Sequence, residues 1–195
     1  MTEADRPKPA RGRPRSGKST EAILAAAREL LHETGYTRLT IEAVAARSGA
    51  GKATIYRWWP TKGELILEAA RAEISIGTVP DHGNLRDDLS AAIRQLVETF
   101  SRPLASAVIF AAISPSDTDL PMAANFRDRH VYPWRVSAAE AIRRGIARGE
   151  LDASTDIQFV LDVIVGTVFQ RTLVMKEPAV EGLVDKLLAL VLPEA

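Results

Sequence analysis

Residues 51–58 carry side chains whose types and spacing suit hydrogen bonding to a nucleic acid. Lys52 and Tyr56 are four positions apart, so in a helix they share one face, and Ala53 and Arg57 follow them on the same side. An ammonium group, a phenolic hydroxyl and a guanidinium group donate hydrogen bonds to phosphate oxygens and base edges, and alanine leaves room for a close approach. The segment therefore indicates a helix that enters the major groove of DNA.

The residues before this segment predict the helix and turn that position it. Thr40 is a good N-cap and Glu42 falls in the first turn of a helix that ends at Ser48. Gly49 supplies the left-handed backbone that a tight turn between helices needs. Residues 40–62 therefore predict a helix-turn-helix followed by the start of a further helix.

The same short helix has an apolar side that is expected to face inward. Ile55 and Trp59 are four apart, Pro60 ends the helix, and residues 61–64 form a capping box that opens the next one. An alternative is a three-helix pack without a DNA-binding role, because short turn motifs also match by chance.

Residues 18–66, and above all the run GAGKATIYRWWPTKGEL, resemble the DNA-binding domain of the TetR (tetracycline-repressor-like) family of bacterial one-component regulators. The resemblance implies double-stranded operator DNA as a partner, with Thr40 and Lys62 on phosphates. The full set of expected contacts is Thr40, Lys52, Ala53, Thr54, Tyr56, Arg57, Trp58 and Lys62. Gly51 departs from the family pattern, in which serine is usual, and this removes a hydroxyl available for a phosphate contact.

Composition and charge limit the chemistry of the chain. Its 195 residues include no cysteine, which excludes thiolate catalysis, disulfides and zinc fingers and fits a reducing, cytoplasmic location. The net charge is zero, but residues 1–62 carry 12 Lys and Arg against 6 Asp and Glu, and residues 63–195 carry 13 against 19. Because DNA binding depends on clustered cations, the N-terminal part is the expected DNA-binding part.

The first 17 residues resemble a flexible DNA-binding arm. They contain five cations and three prolines, no periodic apolar residues and no apolar segment of a signal peptide, so disorder is expected. Arg11-Gly12-Arg13-Pro14 is similar to the core of an AT-hook, which places arginines in the narrow minor groove of A·T-rich DNA. Arg13 and Arg15 are therefore expected to contact DNA; a solubilising tail is the alternative.

Beyond residue 76 the pattern stays helical, which predicts an all-α fold. Glycine and proline cluster in residues 77–83, the expected boundary between a helix-turn-helix domain with its connecting helix (18–76) and a ligand-binding and dimerisation body (77–195). The predicted body helices, bordered by prolines or glycines, are 84–101, 103–114, 119–130, 133–148, 154–176 and 180–192.

Residues 157–175 are apolar around nearly the whole circumference of a helix. Asp162 and Arg171 interrupt the stretch well short of the roughly 20 apolar residues of a membrane span, so no membrane partner is expected. One side is expected to pack on the body and another on a second copy of the chain, where the family resemblance places a four-helix bundle of residues 133–148 and 154–176. The expected homodimer contacts are Ile142, Ile146, Val165, Phe169 and Leu173.

Catalysis lacks its usual residue patterns. The chain has three scattered histidines and no G-x-S-x-G run, so neither an activated nucleophile nor a base is indicated. The acidic residues Asp81, Asp87 and Asp88 lie at a helix start, where the helix dipole accounts for them without a metal. We therefore expect no enzymatic activity, no metal and no cofactor.

Large apolar residues of the middle helices are the candidates for a cavity that binds a small-molecule effector. They are Phe100, Val108, Phe110, Met122, Phe126, Trp134 and Phe159. Arg127 and Arg129 near them suit a polar or anionic group on a mostly apolar ligand. The same residues also suit a core, so a constitutive or architectural helix-turn-helix protein whose body only dimerises is the alternative.

Overall fold

The computed structural model describes residues 17–113, 120–177 and 182–192, which form helices joined by short loops. No strand occurs within these ranges, and the all-α prediction is confirmed. Arg13 and Arg15 lie outside the described residues, so their contacts with DNA stay a prediction.

The N-terminal part consists of α1 Gly17–Arg38, α2 Ile41–Ser48, α3 Lys52–Trp58 and α4 Lys62–Ala69, which we call the head, and of the short linker helix α5 Arg71–Ile74. The apolar stripe of α1 packs against α2 and α4, and Ile23, Ala27 and Leu31 on it are buried. The backbone leaves helical geometry at Gly35 (φ 74°, ψ 169°), a conformation that glycine adopts readily. Residues 36–38 only add a final turn.

The predicted connecting helix from residue 61 to about 76 is wrong in one respect. Ala70 departs from helical geometry (φ −93°, ψ 6°) and separates α4 from α5, which ends at Ile74. Buried apolar residues continue on both sides of the break, including Ile66, Ala69 and Ile74. Because the periodicity runs through Ala70 unchanged, the sequence pattern does not reveal the break.

The body contains α6 Leu85–Ser101, α7 Pro103–Ile113, α8 Leu120–Phe126, α9 Tyr132–Ala147, α10 Ile157–Phe169 and α11 Leu183–Val191. α6 is the central helix, because it packs against α7, α9, α10 and α11. Leu89, Ile93 and Leu96 on α6 are at most 1% exposed, so this helix supplies the middle of the body core.

Wide π-helical turns extend two of these helices. Residues Arg127–Val131 join α8 to α9, and Gln170–Val174 continue α10. The break predicted between the helices 119–130 and 133–148 is therefore absent: the π-helical turn runs directly into α9, of which Pro133 is the second residue. Such turns are rare and often lie near functional sites.

A buried carboxylate fixes the loop between α5 and α6 to the body. Asp88 is fully buried and accepts a hydrogen bond from the backbone N–H of His82 at 2.7 Å. Its second oxygen lies 3.4 Å from a guanidinium nitrogen of Arg144 on α9. Asp88 therefore has a structural role that links α6, α9 and this loop.

The head touches the body where α4 meets α8. A Cβ atom placed on Gly63 would lie 2.7 Å from Cβ of Met122, so only glycine fits at this contact. Met122 is 1% exposed, and its side chain on α8 packs directly against the backbone of α4.

Candidate nucleic-acid interface and body cavity

The polar face of α3 is exposed as its spacing predicts. Lys52, Ala53 and Arg57 are exposed, and Tyr56 is 47% exposed. Ile55 and Trp59 are at most 2% exposed and lie in the core of the head. The predicted phase of this helix is therefore confirmed. Thr54 and Trp58 are half-buried at the edge of the exposed face.

Local contacts hold α3 in place. Gly49 closes α2 in the left-handed conformation (φ 70°, ψ 11°), which turns the chain toward α3. The indole N–H of Trp59 donates to a carboxylate oxygen of Glu68 on α4 at 2.7 Å. Together with the buried Ile55, these contacts leave the exposed face of α3 free to approach a ligand as a rigid surface.

The cations of this surface differ in their surroundings. The ammonium group of Lys52 lies 3.2 Å from Glu42 on α2, and both side chains are exposed. The pKa of Glu42 is lowered mainly by the hydrogen bond from its own backbone N–H and then by Lys52. Arg57 has no ion-pair partner among the described residues, and its guanidinium group lies 5.1 Å from the ring centre of Trp58. Arg57 is thus available to a phosphate or a base.

The two residues expected on phosphates also have structural roles. The hydroxyl oxygen of Thr40 accepts a hydrogen bond from the N–H of Ala43 at 3.2 Å and caps α2. The ammonium group of Lys62 donates to the backbone oxygen of Tyr36 at 3.0 Å and lies 4.2 Å from the centre of its ring. Each keeps further hydrogen-bonding capacity, so their phosphate contacts stay a prediction.

An apolar cavity of about 150 Å³ lies in the body next to the linker. Its walls come from the linker and from α6, α7, α8, α9 and α10. Phe100, Phe126 and Trp134, which were expected to line a cavity, do so. The sequence did not indicate the remaining lining residues, which are Ile74, Ile76, Leu96, Ile109, Ile113, His130, Val131, Arg135, Val165 and Phe169.

Four residues expected to line the cavity lie elsewhere. Val108 is fully buried in the core of the body, and Met122 packs against Gly63. Phe110 is 38% exposed and its ring centre lies 6.4 Å from that of Phe169, while Phe159 is 66% exposed on the surface of α10. Helical periodicity identifies apolar faces, but it does not distinguish a core contact from a cavity or an exposed patch.

Polar groups at the cavity wall are few. The indole N–H of Trp134, a residue only 4% exposed, has no hydrogen-bond acceptor among the described residues. The guanidinium group of Arg135 is bound by Asp162 and Gln158, each at 2.8 Å. The pKa of His130 is lowered by burial and then by the nearby cations Arg129 and Arg71, so its imidazole is neutral at pH 7.

A second, more polar cleft of about 720 Å³ separates the head and linker from the π-helical turn before α9. Arg71 and Arg129 line this cleft together with Glu64 and Glu68, whereas Arg127 and Arg129 do not reach the apolar cavity. The expectation that these two arginines orient a ligand in the apolar cavity is therefore wrong. His130 belongs to the walls of both spaces.

The predicted dimer contacts divide into two groups. Ile142 and Leu173 are at most 1% exposed inside the protomer, so they do not reach a partner and their assignment is corrected. Ile146 is half-buried, as are Val165 and Phe169. The exposed apolar residues of the same region, absent from the predicted set, are Tyr132, Val136, Phe159, Val174 and Met175.

The stretch Ile157–Val174 is long and apolar enough to cross a membrane by composition alone, and only 28% of it is buried in the protomer. Asp162 on it binds Arg135 of α9 at 2.8 Å. Among the residues that the structure describes, no cluster of three or more His, Asp or Glu side chains is placed to hold a metal ion.

The glycine turn and the exposed face of α3 define a helix-turn-helix DNA-binding regulator. Comparisons with known proteins agree: the model of bacterial regulatory proteins of the tetR family matches residues 23–69, and that of the tetracyclin repressor-like C-terminal domain matches residues 79–191. The chain belongs to the TetR family of transcriptional regulators, which are not enzymes.

Individual proteins are similar over most of the chain. The uncharacterized HTH-type transcriptional regulator YdeS of Bacillus subtilis is 34% identical over 84% of this chain and 83% of its own length. A DNA-binding transcriptional repressor TetR of Mycobacteroides abscessus is 35% identical over 79% of this chain and 80% of its own. The crystal structure of AibR with isovaleryl coenzyme A and operator DNA shares the fold, with 18% identity, a TM-score of 0.60 and coverage of 91% and 100%.

Proposed function

We propose that this regulator is a dimeric repressor, located in the cytoplasm, that leaves its operator when a small, mostly apolar molecule binds the body. The cavity next to the linker carries the proposal. Its wall combines Ile74 and Ile76, which connect to the head, with Val165 and Phe169 of α10. A molecule in this cavity contacts both the connection to the head and the helix expected at the subunit interface.

DNA recognition is assigned to the exposed face of α3. Lys52, Ala53, Tyr56 and Arg57 enter the major groove, and Thr40 and Lys62 bind phosphates on either side. The burial of Ile55 and Trp59 supports this assignment, because it fixes the opposite face outward. The domain division that follows is a DNA-binding part up to residue 76 and a ligand-binding and dimerisation body from residue 77.

The arm before α1 is proposed to add contacts in the minor groove through Arg13 and Arg15. Removing residues 1–15 takes away five cations and two acidic residues, so the affinity for DNA falls and its dependence on salt lessens. A larger loss on A·T-rich than on G·C-rich flanks supports the minor-groove position. An unchanged affinity assigns the arm to a solubilising tail.

A homodimer is proposed to form through α9 and α10. Val136 (64% exposed) and Phe159 (66% exposed) lie on these helices, and an exposed apolar patch of this kind marks an interaction surface. In a two-fold dimer the two copies of α3 meet half-sites about 34–36 Å apart or at multiples of that spacing.

Dimer assembly is tested by placing a charge on the proposed interface. Phe159→Glu is expected to yield monomers with weak operator affinity in analytical ultracentrifugation and binding titrations. Leu190→Glu is the matched control, because Leu190 is also apolar and exposed (67%) but lies on α11, which packs against α6. A Phe159→Glu protein that remains dimeric excludes this interface.

We propose that ligand binding and operator binding are coupled because each changes the populations of two conformations of the dimer. A ligand that prefers the conformation in which the two heads no longer match the half-sites shifts the dimer toward that conformation, and its effect never exceeds this preference. AibR, a protein of this fold whose crystal structure contains both isovaleryl coenzyme A and operator DNA, supports the proposal that a protein of this fold binds both a small molecule and an operator.

The effects of ligand and operator on each other's affinity must be equal, and this equality provides the decisive experiment. After footprinting on the DNA that flanks its own gene identifies the operator, candidate ligands are titrated by calorimetry with and without that DNA. If an effector weakens operator binding a hundredfold, about 2.7 kcal/mol, operator must weaken the effector by the same factor. Equal ligand affinity in the two titrations contradicts the proposal and favours a constitutive DNA-binding protein.

A further inference from the structure

The polar cleft of about 720 Å³ carries unpaired cations from two different elements. Arg71 belongs to the linker α5, whereas Arg129 belongs to the π-helical turn of the body. Both arginines are exposed, and neither has an ion-pair partner among the described residues. Two guanidinium groups that line one cleft therefore keep their hydrogen-bond donors available to a molecule from outside the chain.

The surroundings of His130 show how charge is distributed in this cleft. Its pKa is lowered first by burial and then by the positive charges of Arg129 and Arg71. Glu64 and Glu68, the acidic residues that line the cleft, do not contribute to this shift. The two cations thus gather near His130 and the carboxylates lie further from it. An anion at this end of the cleft would offset the repulsion between like charges.

The remaining walls indicate the size and the character of the ligand. Trp58, Pro60 and Leu67 supply apolar surface, and Asn125 adds an amide group. A cleft of about 720 Å³ is far larger than an inorganic anion and lies within the range of roughly 300–1,000 Å³ that is usual for sites of small organic ligands. The walls therefore suit an organic anion with an apolar part.

We propose that this cleft is a second ligand site, which binds an aromatic carboxylate or a similar flat organic anion with its charged oxygens between Arg71 and Arg129 and its ring toward Trp58 and Pro60. Such a molecule bridges the linker and the body, because its two cationic partners belong to α5 and to the π-helical turn. The inference goes beyond the proposed function, since it does not require an apolar effector in the body cavity.

A matched pair of probes isolates the negative charge. Benzoate and benzamide have nearly the same shape, but only benzoate is an anion at pH 7. Their affinities for the full-length protein are measured by NMR titration at constant ionic strength, with the indole N–H signals of the three tryptophans as reporters. Benzoate is expected to bind at least about threefold more tightly than benzamide, and to shift the signal of Trp58 but not that of Trp134, which lines the apolar cavity.

Substitutions of the two arginines locate the site. Arg71→Gln and Arg129→Gln each remove one charge and keep a polar side chain, so benzoate affinity is expected to fall about three- to tenfold while benzamide affinity stays the same. Arg86→Gln is the control, because Arg86 is exposed on α6 outside the cleft, and it should leave both affinities unchanged. Equal affinities of the parent protein for the two probes overturn the inference, as does unchanged benzoate affinity in both cleft variants.

Hydrogen exchange tests the bridge between linker and body. Saturating benzoate is expected to slow amide exchange of residues 70–76 in the parent protein but not in Arg129→Gln, which loses the partner on the body. Unchanged exchange in the parent protein contradicts the bridged position of the anion. Neither measurement involves the operator or an apolar effector, so failure of the proposed repressor function and failure of this site are separate outcomes.

Discussion

In the head, the side chains expected to bind DNA lie on the exposed face of α3, whereas in the body the cavity forms where the linker meets α6–α10. The exposed face of α3 depends on one short helix and on neighbours close in sequence. The cavity depends on residues from Ile74 to Phe169, which only the folded chain brings together. Substitutions in the head are therefore expected to separate function from stability, and most substitutions in the body to change both.

The largest expected effect is a loss of body stability in Asp88→Ala. Asp88 is fully buried and accepts hydrogen bonds from the backbone N–H of His82 and from Arg144, and since a hydrogen bond to a charged group contributes about 1.5–3 kcal/mol, loss of both costs about 3 kcal/mol or more. Urea denaturation measures the loss. Asp87→Ala, the exposed neighbour, is the control and should change the free energy of unfolding far less; equal losses would contradict the structural role of Asp88.

Gly63→Ala is expected to weaken the contact between head and body. The added Cβ would lie 2.7 Å from Cβ of Met122, so the backbones of α4 and α8 must move apart, at a cost of about 1–3 kcal/mol. Gly51→Ala is the control for stability, because a Cβ there meets no atom within 4 Å. If both variants unfold at the same urea concentration, the close contact between α4 and α8 is wrong.

Arg57→Lys tests whether the exposed face of α3 in the head discriminates between DNA sequences. The variant keeps the charge but loses the two parallel hydrogen bonds that arginine donates to guanine, so discrimination between operator and altered sequences should fall by about 1–3 kcal/mol. Thermal stability should not change, because Arg57 has no ion-pair partner among the described residues. Fluorescence anisotropy on operator and mismatched duplexes measures the effect, and Arg86→Lys on the exposed surface of α6 serves as the control. Unchanged discrimination would remove Arg57 from the base contacts.

The smallest expected effect concerns pH. The folded protein holds the pKa of His130 below its ordinary value of 6.5, so the unfolded chain binds a proton more readily and stability is lost as the pH falls below about 6.5. His130→Gln should therefore lose less stability than the parent protein between pH 7 and 5.5. Denaturation at several pH values tests this, and identical pH profiles would contradict a buried, neutral His130.

The head was predictable because its determinants are local. The turn glycine, the caps and the spacing of Ile55 and Trp59 fix α3 within a few residues, and the structure agrees with the predicted phase. The breaks were harder: α4 ends at Ala70 inside an unbroken apolar pattern. Helix propensity and apolar periodicity depend on residues that are close in sequence. A bend in the chain that tertiary packing imposes does not depend on them, so it cannot be predicted in this way.

The body was predictable as a set of helices but not as a site. Phe159 and Ile142 were both assigned to functional surfaces by their apolar character, yet one is exposed and the other lies in the protomer core. His130 was not singled out, although it borders both the cavity and the polar cleft. A cavity forms where several helices leave a gap between them, and the local sequence pattern does not show which apolar residues border that gap.

The position of Ile74 and Ile76 has a consequence for protein engineering. Both residues precede the loop at which the chain would naturally be cut to exchange sensor domains, yet they form part of the cavity wall. A chimaera joined at residue 77 would combine the body of another protein with Ile74 and Ile76, which suit the cavity of the present body. A junction at Ala70, between α4 and α5, keeps Ile74 and Ile76 with their own body and leaves the head of α1–α4 intact, so it is the better junction for transplanting this sensor onto another DNA-binding head.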